Sequence, residues 1–531
     1  MSDETADRAN REDDGAAGVG GTGGTPGERT DSEADGRFGV GRRRLLALTG
    51  AAGVGGLAGC GGGDGGDGGT TANPTTSDAG TTPTTAPPAT STPSATATTT
   101  EAPSTTAEPT STPAPELTDP RQVLTAPGAH NHPLDGYANA DWLVEDKEEI
   151  QVIPVTNLNA SGEGSLRSAM RTTGPRIIVF EVGGVIDLEG DTLQVDPVET
   201  SIGGWDYSRM YIAGQTAPDP GITVIRGSLA PYARNCIIQH IRVRVGDQVD
   251  DAYDSISIGS LAANCIVDHC STTWSIDENL SADGGQDIPG RTLSNNIIAE
   301  GLYDSVHPKG PHSMGTLLEE NQRDISVIGN LYSCNDQRHP RMKGGVHGLV
   351  VNNFAYNFGY AIAMGGEGES PATATVESNH WRAGPALWSE DRAIVASDKS
   401  GPYKPQAYVA DNLREPDTMP VITTNYMNEL TERPYWTDAL SPVPSEEVAA
   451  TVFSAAGARP ARRTFHDQRV VDEARNEEGT LIDSQSAVGG YPDLEATERP
   501  LDPPAYGPEF AAWLRQHTRA VELGEAPPSA G

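Results

Sequence analysis

Short apolar runs alternate with polar corner residues through the middle of the chain. The stretches NCIIQHIRVR from Asn235 and NCIVDHCSTTW from Asn264 share one layout, with His240 and His269 in equivalent places. The same point of later units is expected at Asn296, Asn330, Asn353 and Asn379. Unequal spacings of 23 to 34 residues between these positions indicate a solenoid with one turn per unit and variable loops. The pattern predicts an all-β fold, a right-handed parallel β-helix.

The stacked polar residues have a structural explanation. Identical polar side chains at one corner of successive turns can hydrogen-bond to the backbone and to one another. We therefore expect the two histidines and the asparagines to hold the corner without taking part in chemistry. One place further along each unit, an inward apolar stack is expected from Ile241, Cys270, Ile297, Leu331 and Phe354.

The two ends of the repeat region carry helical patterns. Residues 165–170 predict a short helix before the strands at 177–180 and 185–188, as a cap over the open end of a solenoid. Beyond residue 385 the strand rhythm fades, and helices are predicted over 445–456, 465–475 and 509–517. We expect the β-helix to occupy 117–440 and the segment 441–531 to form a C-terminal tail that packs on it.

The first 116 residues divide by composition into three segments. Residues 1–38 are acidic and glycine-rich, which predicts disorder, and residues 61–116 are rich in Gly, Thr and Pro, which predicts a flexible stalk. Between them, 39–60 contain Arg42-Arg43-Arg44, a short apolar run and Leu-Ala-Gly-Cys60. This order is similar to a twin-arginine export signal followed by a lipobox. It predicts a protein exported in the folded state and tethered outside the cell by lipid on Cys60.

The formal net charge is −37, from 74 acidic and 37 basic residues, and most of the basic residues are arginine. Such a surface repels nucleic acid and anionic lipid. The excess of acid is typical of proteins that are soluble in concentrated salt, where charges are screened over roughly 3 Å at 1 M. We expect a monomer from a salt-loving source, and any site for a polyanion needs its own local cations.

Four cysteines follow Cys60, namely Cys236, Cys265, Cys270 and Cys334. All lie in or beside predicted strands, where buried thiols acting as small apolar groups are expected. A disulfide between Cys236 and Cys265, one turn apart, is the alternative, and no C-x-x-C spacing indicates a metal site.

Two charged clusters could carry chemistry. Carboxylates on neighbouring turns approach each other closely, which favours a cation between them, and several oxygen ligands suit Ca²⁺. The alternative is a solvated acidic face. The second cluster is the basic segment RHPRMKGG, for which the alternative is a salt-bridged loop. The acidic positions are Asp250, Asp251, Asp254, Asp277 and Glu278, and the basic ones are Arg338, Arg341 and Lys343.

The order of the motifs GSLRSAM, GPRIIVFEVGGVIDL, YIAGQTAP, HIRVRVGD, DSISI, DHCSTTWSIDENLS, IGNLYS and RHPRMKGG resembles pectate lyases of polysaccharide lyase family 1, over roughly residues 150–385. The resemblance implies a right-handed parallel β-helix that cleaves polygalacturonate by β-elimination with Ca²⁺. It implies that Arg338 is the Brønsted base and Lys343 a substrate-binding cation. Asp254 and Asp277 match calcium ligands of the family.

The sequence departs from the family pattern at three places, which widens the set of candidates. Ser281 and Ala252 stand where the family has acidic residues, so Glu278 and Asp251 are further candidate calcium ligands. The usual lysine is absent near His312, so we expect His312, Lys309 and Arg341 to bind substrate together with Lys343. The alternatives are a calcium-independent pectin lyase acting on methyl-esterified polymer, and a non-catalytic surface β-helix that binds polysaccharide.

Overall fold

The computed structural model describes residues 116–195, 207–285, 288–385, 395–422 and 426–528. The predicted acidic tail, export signal and stalk, over residues 1–115, lie outside these ranges. Within them, no helix combines the length and the apolar character that a membrane crossing requires.

Each turn of the chain contributes strands to three faces, called A, B and C. Face A is an 11-stranded sheet, and faces B and C are the two halves of a 16-stranded sheet. Face A contains β1 (Gln151–Val155), β2 (Arg176–Phe180), β4 (Met210–Ala213), β6 (Cys236–Gln239), β9 (Cys265–Asp268), β12 (Ile288–Ser294), β15 (Gln322–Ile328), β18 (His347–Val351), β21 (Thr373–Glu377), β24 (Gln406–Ala410) and β26 (Asn428–Glu429).

Face B contains β7 (Ile241–Arg244), β10 (Ser271–Thr273), β13 (Ile297–Ala299), β16 (Leu331–Ser333), β19 (Phe354–Tyr356), β22 (His380–Arg382) and β25 (Leu413–Glu415). Face C contains β8 (Ile256–Ile258), β11 (Glu278–Ala282), β14 (Met314–Leu318), β17 (Arg341–Met342), β20 (Ile362–Gly365) and β23 (Val395–Asp398). The long strands β3 (Val182–Val195) and β5 (Ile222–Pro231) join the two faces, because β5 pairs with both β7 and β8. A last strand, β27 (Thr497–Glu498), pairs antiparallel with β3.

All strand pairs between successive turns are parallel among the described residues, and the chain visits faces A, B and C in that order. This arrangement is a parallel β-helix, which confirms the predicted fold class. Its interior is an apolar stack in which each turn adds a wholly buried side chain on face A, each worth about 1.5–3 kcal/mol. The stack contains Ile238, Val267, Leu293, Val327, Val350 and Val376.

The corner from face A to face B requires a left-handed backbone. His240 and His269 have φ of 60° and 48°, and the strand register places Asn295, with φ of 53°, at the same corner. Asn296 therefore aligns with Cys270 and not with His269, so the predicted match between the histidines and the asparagines is wrong by one residue. Successive turns place His, Asn, Gly, Ser or Asp at this left-handed position, and this variety of residue types hid the true register in the sequence.

The one-residue error in the predicted alignment also changes which side chains point into the core. Ile297 pairs with Ser271, and Leu331 and Phe354 follow it on face B. These three side chains pack outward against the C-terminal helices, whereas Ile241 and Cys270 lie in the interior stack. The prediction of a single inward row is wrong for the outward three, because shifting a strand by one residue turns every side chain to the other face.

The asparagines form a continuous ladder. Each side-chain amide donates to the Oδ1 of the asparagine one turn further on, at 2.9–3.0 Å, and each Oδ1 also accepts a backbone N–H. The hydrogen bonding predicted for stacked polar residues is present, and the ladder extends one turn further than the sequence suggested. Its members are Asn296, Asn330, Asn353, Asn379 and Asn412.

Replacing Asn353 by leucine is expected to destabilise the β-helix by about 1–3 kcal/mol for each buried polar group left unpaired. Its Oδ1 accepts from the backbone and side chain of Asn330, and its amide donates to the carbonyl of Val327. Urea unfolding at constant salt measures the change, with the exposed Asn159→Leu as the control. Equal stability of the two variants would contradict a structural role for the ladder.

A helix forms at the predicted position before β2, and three form in the described part of the C-terminal tail, as predicted. The helices are α1 (Trp142–Glu145), α2 (Leu166–Met170), α3 (Ser445–Ala455), α4 (Phe465–Asn476) and α5 (Pro508–Leu523). The short helix α1 was not predicted. Helices α3 and α4 cover the outward row of face B through Val452, Phe453 and Val471. Helix α5 packs Phe510 and Leu514 on the outer side of face A together with residues from the start of the described chain.

All four cysteines in the described part of the chain are buried and free. Cys236 and Cys265 are neighbours across adjacent strands. Burial raises the pKa of both thiols, which keeps them protonated. The expectation of buried thiols is confirmed, and the alternative disulfide is not formed.

Candidate active site

Five predicted site residues come together at the corner between faces B and C. Each sits in or next to the loop that follows a face-B strand, so successive turns stack the loops side by side. Asp254 precedes β8, Asp277 precedes β11 and Glu278 begins it, His312 precedes β14, and Arg338 precedes β17. The strand register aligns Asp254 with Glu278, and Glu278 with Met314. The short distance between turns of the solenoid thus brings together side chains that are far apart in sequence.

Three carboxylates form the centre of this group. Asp254, Asp277 and Glu278 offer oxygen atoms that lie within 4.8 Å of one another. Asp254 accepts hydrogen bonds from the backbone N–H of Glu278, at 2.9 Å, and from the Ser281 hydroxyl. Burial and the nearby charge of Asp277 raise the pKa of Asp254 to about 8. Like charges crowded in a half-buried place favour the binding of a proton or a metal cation.

Two histidines hold Asp277 from the other side. His312 Nε2 is 2.7 Å from one carboxylate oxygen and His307 Nε2 is 3.7 Å from the other, and the two rings stack with centroids 3.9 Å apart. Burial acts to raise the pKa of Asp277, but the nearby His307 and His312 hold it below its ordinary value. His307 was not predicted as a site residue, although the spacing of two histidines five positions apart in one loop was visible in the sequence.

Arg338 faces the carboxylates from the next turn. Its guanidinium contacts Glu278, and its backbone has φ of 70°, a left-handed conformation that costs a non-glycine residue energy. The following residue, His339, is buried between Tyr332 and Phe358. This packing anchors the loop that carries Arg338. Burial and the neighbouring Arg341 lower the pKa of Arg338 from its ordinary value.

The other predicted cations already have acidic partners. Arg341 forms an ion pair with Asp398, and Lys343 Nζ lies 3.4 Å from one carboxylate oxygen of Glu319 and 3.4 Å from one of Glu320. Both face-C cations are partly exposed. An anionic ligand that bound them would have to compete with these carboxylates.

Two predicted residues stand apart from the carboxylate group. Asp251 is exposed, and its carboxylate accepts the backbone N–H of Ala252 at 2.9 Å. Lys309 lies on the exposed part of the loop that carries the histidines, and its backbone N–H donates to His307 Nδ1 at 3.1 Å. The structure therefore gathers Asp254, Asp277 and Glu278 but not Asp251.

A backbone hydrogen bond fixes the tautomer of His307, in the loop that also carries His312. Because His307 Nδ1 accepts the N–H of Lys309, its Nε2 carries the proton of the neutral ring and points the donor toward Asp277. A histidine that binds a metal through Nε2 shows the opposite pattern. The Nε2–H of His307 therefore faces the Asp277 carboxylate at 3.7 Å, beside the hydrogen bond that His312 makes to it.

Known proteins resemble the chain over most of its length, although no family model matches it. It is 34% identical over 367 residues to a probable pectate lyase C of Aspergillus flavus, covering 66% of this chain and 80% of the relative. The corresponding protein of Aspergillus oryzae is 33% identical, covering 66% and 79%. Among solved structures, a pectate lyase bound to hexasaccharide matches with a TM-score of 0.42 and 16% identity, covering 58% of this chain and 92% of that one.

The fold and these relatives define the class of the protein, which is a polysaccharide lyase built on a parallel β-helix. More narrowly, the chain belongs to the pectate lyase family, because its identity to these relatives extends over about four fifths of their length.

Proposed function

We propose that the protein cleaves polygalacturonate by calcium-dependent β-elimination, with Arg338 as the base. The observation that supports this proposal is the contact of the Arg338 guanidinium with a group of three carboxylates. A base and a cation site at one place are what removal of a proton beside a uronate carboxylate requires. The relatives named probable pectate lyase C agree with this substrate class.

The carboxylate group fits a calcium ion by its chemistry. Asp254, Asp277 and Glu278 supply hard oxygen ligands, the kind that Ca²⁺ prefers. Burial and the nearby charge of Asp277 raise the pKa of Asp254, and a bound cation would offset both effects. When bound, Ca²⁺ would neutralise the uronate carboxylate and increase the acidity of the adjacent C–H. The orientation of Asp277 by His307 and His312 pre-organises one ligand.

Residues of the chain itself would remove the proton and bind the substrate. Arg338, with its pKa lowered by burial and by Arg341, would accept the proton at C5 of the uronate. As that proton leaves, the bond from C4 to the glycosidic oxygen breaks and a double bond forms between C4 and C5. The leaving oxygen takes a proton from water and departs as the hydroxyl of the second product. His312, Lys309, Arg341 and Lys343 are proposed to hold the carboxylates of neighbouring sugar units along face C.

The alternatives differ in what an assay detects. Polygalacturonate in concentrated salt is incubated with Ca²⁺ or with chelator, and the unsaturated product is followed in the ultraviolet. A pectin lyase would act on methyl-esterified polymer with chelator present, and a non-catalytic binding protein would yield no unsaturated product from either polymer. Product from polygalacturonate that requires Ca²⁺ supports the proposal.

Replacing Asp254 by asparagine is expected to weaken calcium dependence, so that half-maximal activity needs on the order of tenfold more Ca²⁺, because ligand charge sets the affinity of oxygen sites. The substitution keeps the size of the side chain. Activity is titrated with Ca²⁺ for both forms, and the exposed Asp250→Asn serves as the matched control. An unchanged calcium requirement in the Asp254 variant would remove Asp254 from the proposed site.

We also propose an extracellular location with a lipid anchor at Cys60, on the sequence pattern of residues 39–60. Replacing Cys60 by serine is expected to move the protein from the membrane fraction to the medium. The distribution of activity between these fractions checks the proposal, and an unchanged membrane fraction would contradict a lipid at Cys60.

A further inference from the structure

A second group of ligand-type side chains lies at a different corner, between faces A and B. His240 and His269 occupy successive turns there, and their rings stack with centroids 5.2 Å apart at an angle of 22°. The carboxylate of Glu522, near the end of α5, reaches this pair. All three side chains have no exposed surface. The proposed calcium-dependent reaction uses none of them.

Each of the three side chains is held by one of its two polar atoms. His240 Nδ1 is 2.6 Å from the carbonyl of Ala458, and His269 Nδ1 is 2.8 Å from a carboxylate oxygen of Asp268. Since both partners accept hydrogen bonds, each Nδ1 carries a proton, and each Nε2 bears a lone pair when its ring is neutral. Glu522 Oε2 accepts the backbone N–H of Gly128 at 2.7 Å.

The remaining polar atoms of the three side chains are buried and make no hydrogen bond. They are His240 Nε2, His269 Nε2 and Glu522 Oε1. His240 Nε2 lies 3.4 Å from Glu522 Oε1, and the same carboxylate oxygen lies 3.9 Å from His269 Nδ1. Two lone pairs that face each other in a buried place repel, and a buried acceptor without a donor is costly. The arrangement therefore requires a proton or a cation between these atoms.

The surroundings of the group are those of a metal site. In proteins, a histidine that binds a metal usually donates its other ring N–H to a backbone carbonyl or a carboxylate. Ala458 and Asp268 have these two roles here. Asp268 is itself fully hydrogen-bonded, by Gln239, Ser294 and Asn295. The two buried carboxylates, Asp268 and Glu522, supply negative charge that a divalent ion would balance.

We propose that His240, His269 and Glu522 bind a divalent transition-metal ion of the zinc type. Two imidazoles and a carboxylate are ligands that zinc accepts in proteins, and the ligand atoms that the three residues offer lie within 4.8 Å of one another. The ion fastens α5 to two adjacent turns of the β-helix, so its role is structural.

A protonated His269 is the competing account of the same atoms. Burial acts to lower the pKa of His269, but Asp268 and Glu522 raise it to about 9. The negative potential that attracts a proton also attracts a divalent cation, and metal binding would displace this proton. Metal content separates the two accounts, because a proton leaves no metal in the purified chain.

The test begins with the full chain, purified and analysed by elemental mass spectrometry after dialysis against a calcium-selective chelator. We expect one equivalent of zinc per chain, and a strong zinc chelator should remove it and lower the thermal unfolding midpoint. Replacing zinc by Co²⁺ should give visible absorption bands of a cobalt–histidine centre. A wild-type chain that holds no transition metal and takes up neither zinc nor Co²⁺ would overturn the proposal.

Variants locate the ion. Glu522→Gln and His240→Gln are expected to lose the equivalent of zinc, whereas Asp254→Asn, at the separate carboxylate group, should retain it. Zinc that persists in both of the first two variants would also overturn the assignment. Should either variant fail to fold, zinc uptake by the metal-free wild-type chain, measured as a rise in its unfolding midpoint, decides the matter by itself.

Discussion

Replacing Arg338 by lysine or by alanine is expected to lower kcat on polygalacturonate by about a hundredfold to ten-thousandfold, the usual contribution of a positioned general base. Lysine keeps a positive charge but cannot reproduce the guanidinium that contacts Glu278 from a left-handed backbone position. The unsaturated product, followed in the ultraviolet at saturating Ca²⁺, measures the change.

The control for this experiment is Arg323→Ala. Arg323 is exposed on face A and forms an ion pair with its neighbour Asp324. Its replacement by alanine changes the net charge by the same amount as Arg338→Ala, away from the proposed site. Circular dichroism of all variants shows whether the β-helix is intact. Full activity of a folded Arg338→Ala variant would exclude this residue as the base and leave the carboxylate group without a partner in the reaction.

Replacing Asp467 by alanine is expected to destabilise the protein by about 3–5 kcal/mol, the range for breaking a buried ion pair from one side. Asp467, on α4, accepts hydrogen bonds from Arg242 Nε at 2.9 Å and Arg244 Nη2 at 2.7 Å, and all three side chains are buried. Without the carboxylate, two guanidinium groups of face B remain buried without a counter-charge beside them. Urea unfolding at constant salt measures the loss.

Asp472→Ala is the matched control, because Asp472 lies on the same helix and forms an exposed ion pair with Arg475. Such surface pairs contribute about 0–1 kcal/mol. An Asp467 variant that loses no more stability than this control would show that packing of α4, rather than the buried charges, holds the tail in place.

The same carboxylate gives the stability a defined dependence on pH. Burial acts to raise the pKa of Asp467, but Arg244 and Arg242 lower it to about 2, below the value of about 3.9 for an unfolded aspartate. A depressed folded-state pKa means that the contribution is complete above about pH 4 and is lost as the pH falls toward 2. The difference in stability between the wild-type protein and Asp467→Ala is therefore expected to shrink over this acid range.

The excess of acidic residues is typical of proteins that are soluble in concentrated salt, and buried ion pairs suit such conditions. Arginines are the main basic residues, and several of them are buried against carboxylates of the C-terminal tail, such as Arg242 and Arg244 on Asp467. Arg469 on α4 likewise pairs with the buried Glu300 at 2.7 Å. Buried pairs of this kind are screened by salt much less than exposed ones, so they can hold the tail in concentrated salt.

The sequence by itself determined the repeating unit, the parallel β-helix and the helical character of the tail. Apolar runs of strand length that recur with variable loops leave few other folds, and the helix signals around residues 445, 465 and 509 are local. The chemistry-bearing motifs were also visible, since Asp254, Asp277 and Arg338 stand in recognisable segments. These features depend on residues that are close in sequence, and local patterns record them.

Tertiary structure alone decided the register between successive turns and the neighbours that each side chain contacts. The corner accepts several residue types in the left-handed conformation, so the sequence could not show that Asn296 aligns with Cys270. The contact of Arg338 with Glu278 and the meeting of Glu522 with His240 join residues from different turns or from the tail. Stacking of turns sets such distances, and no local pattern encodes which loop lies beside which.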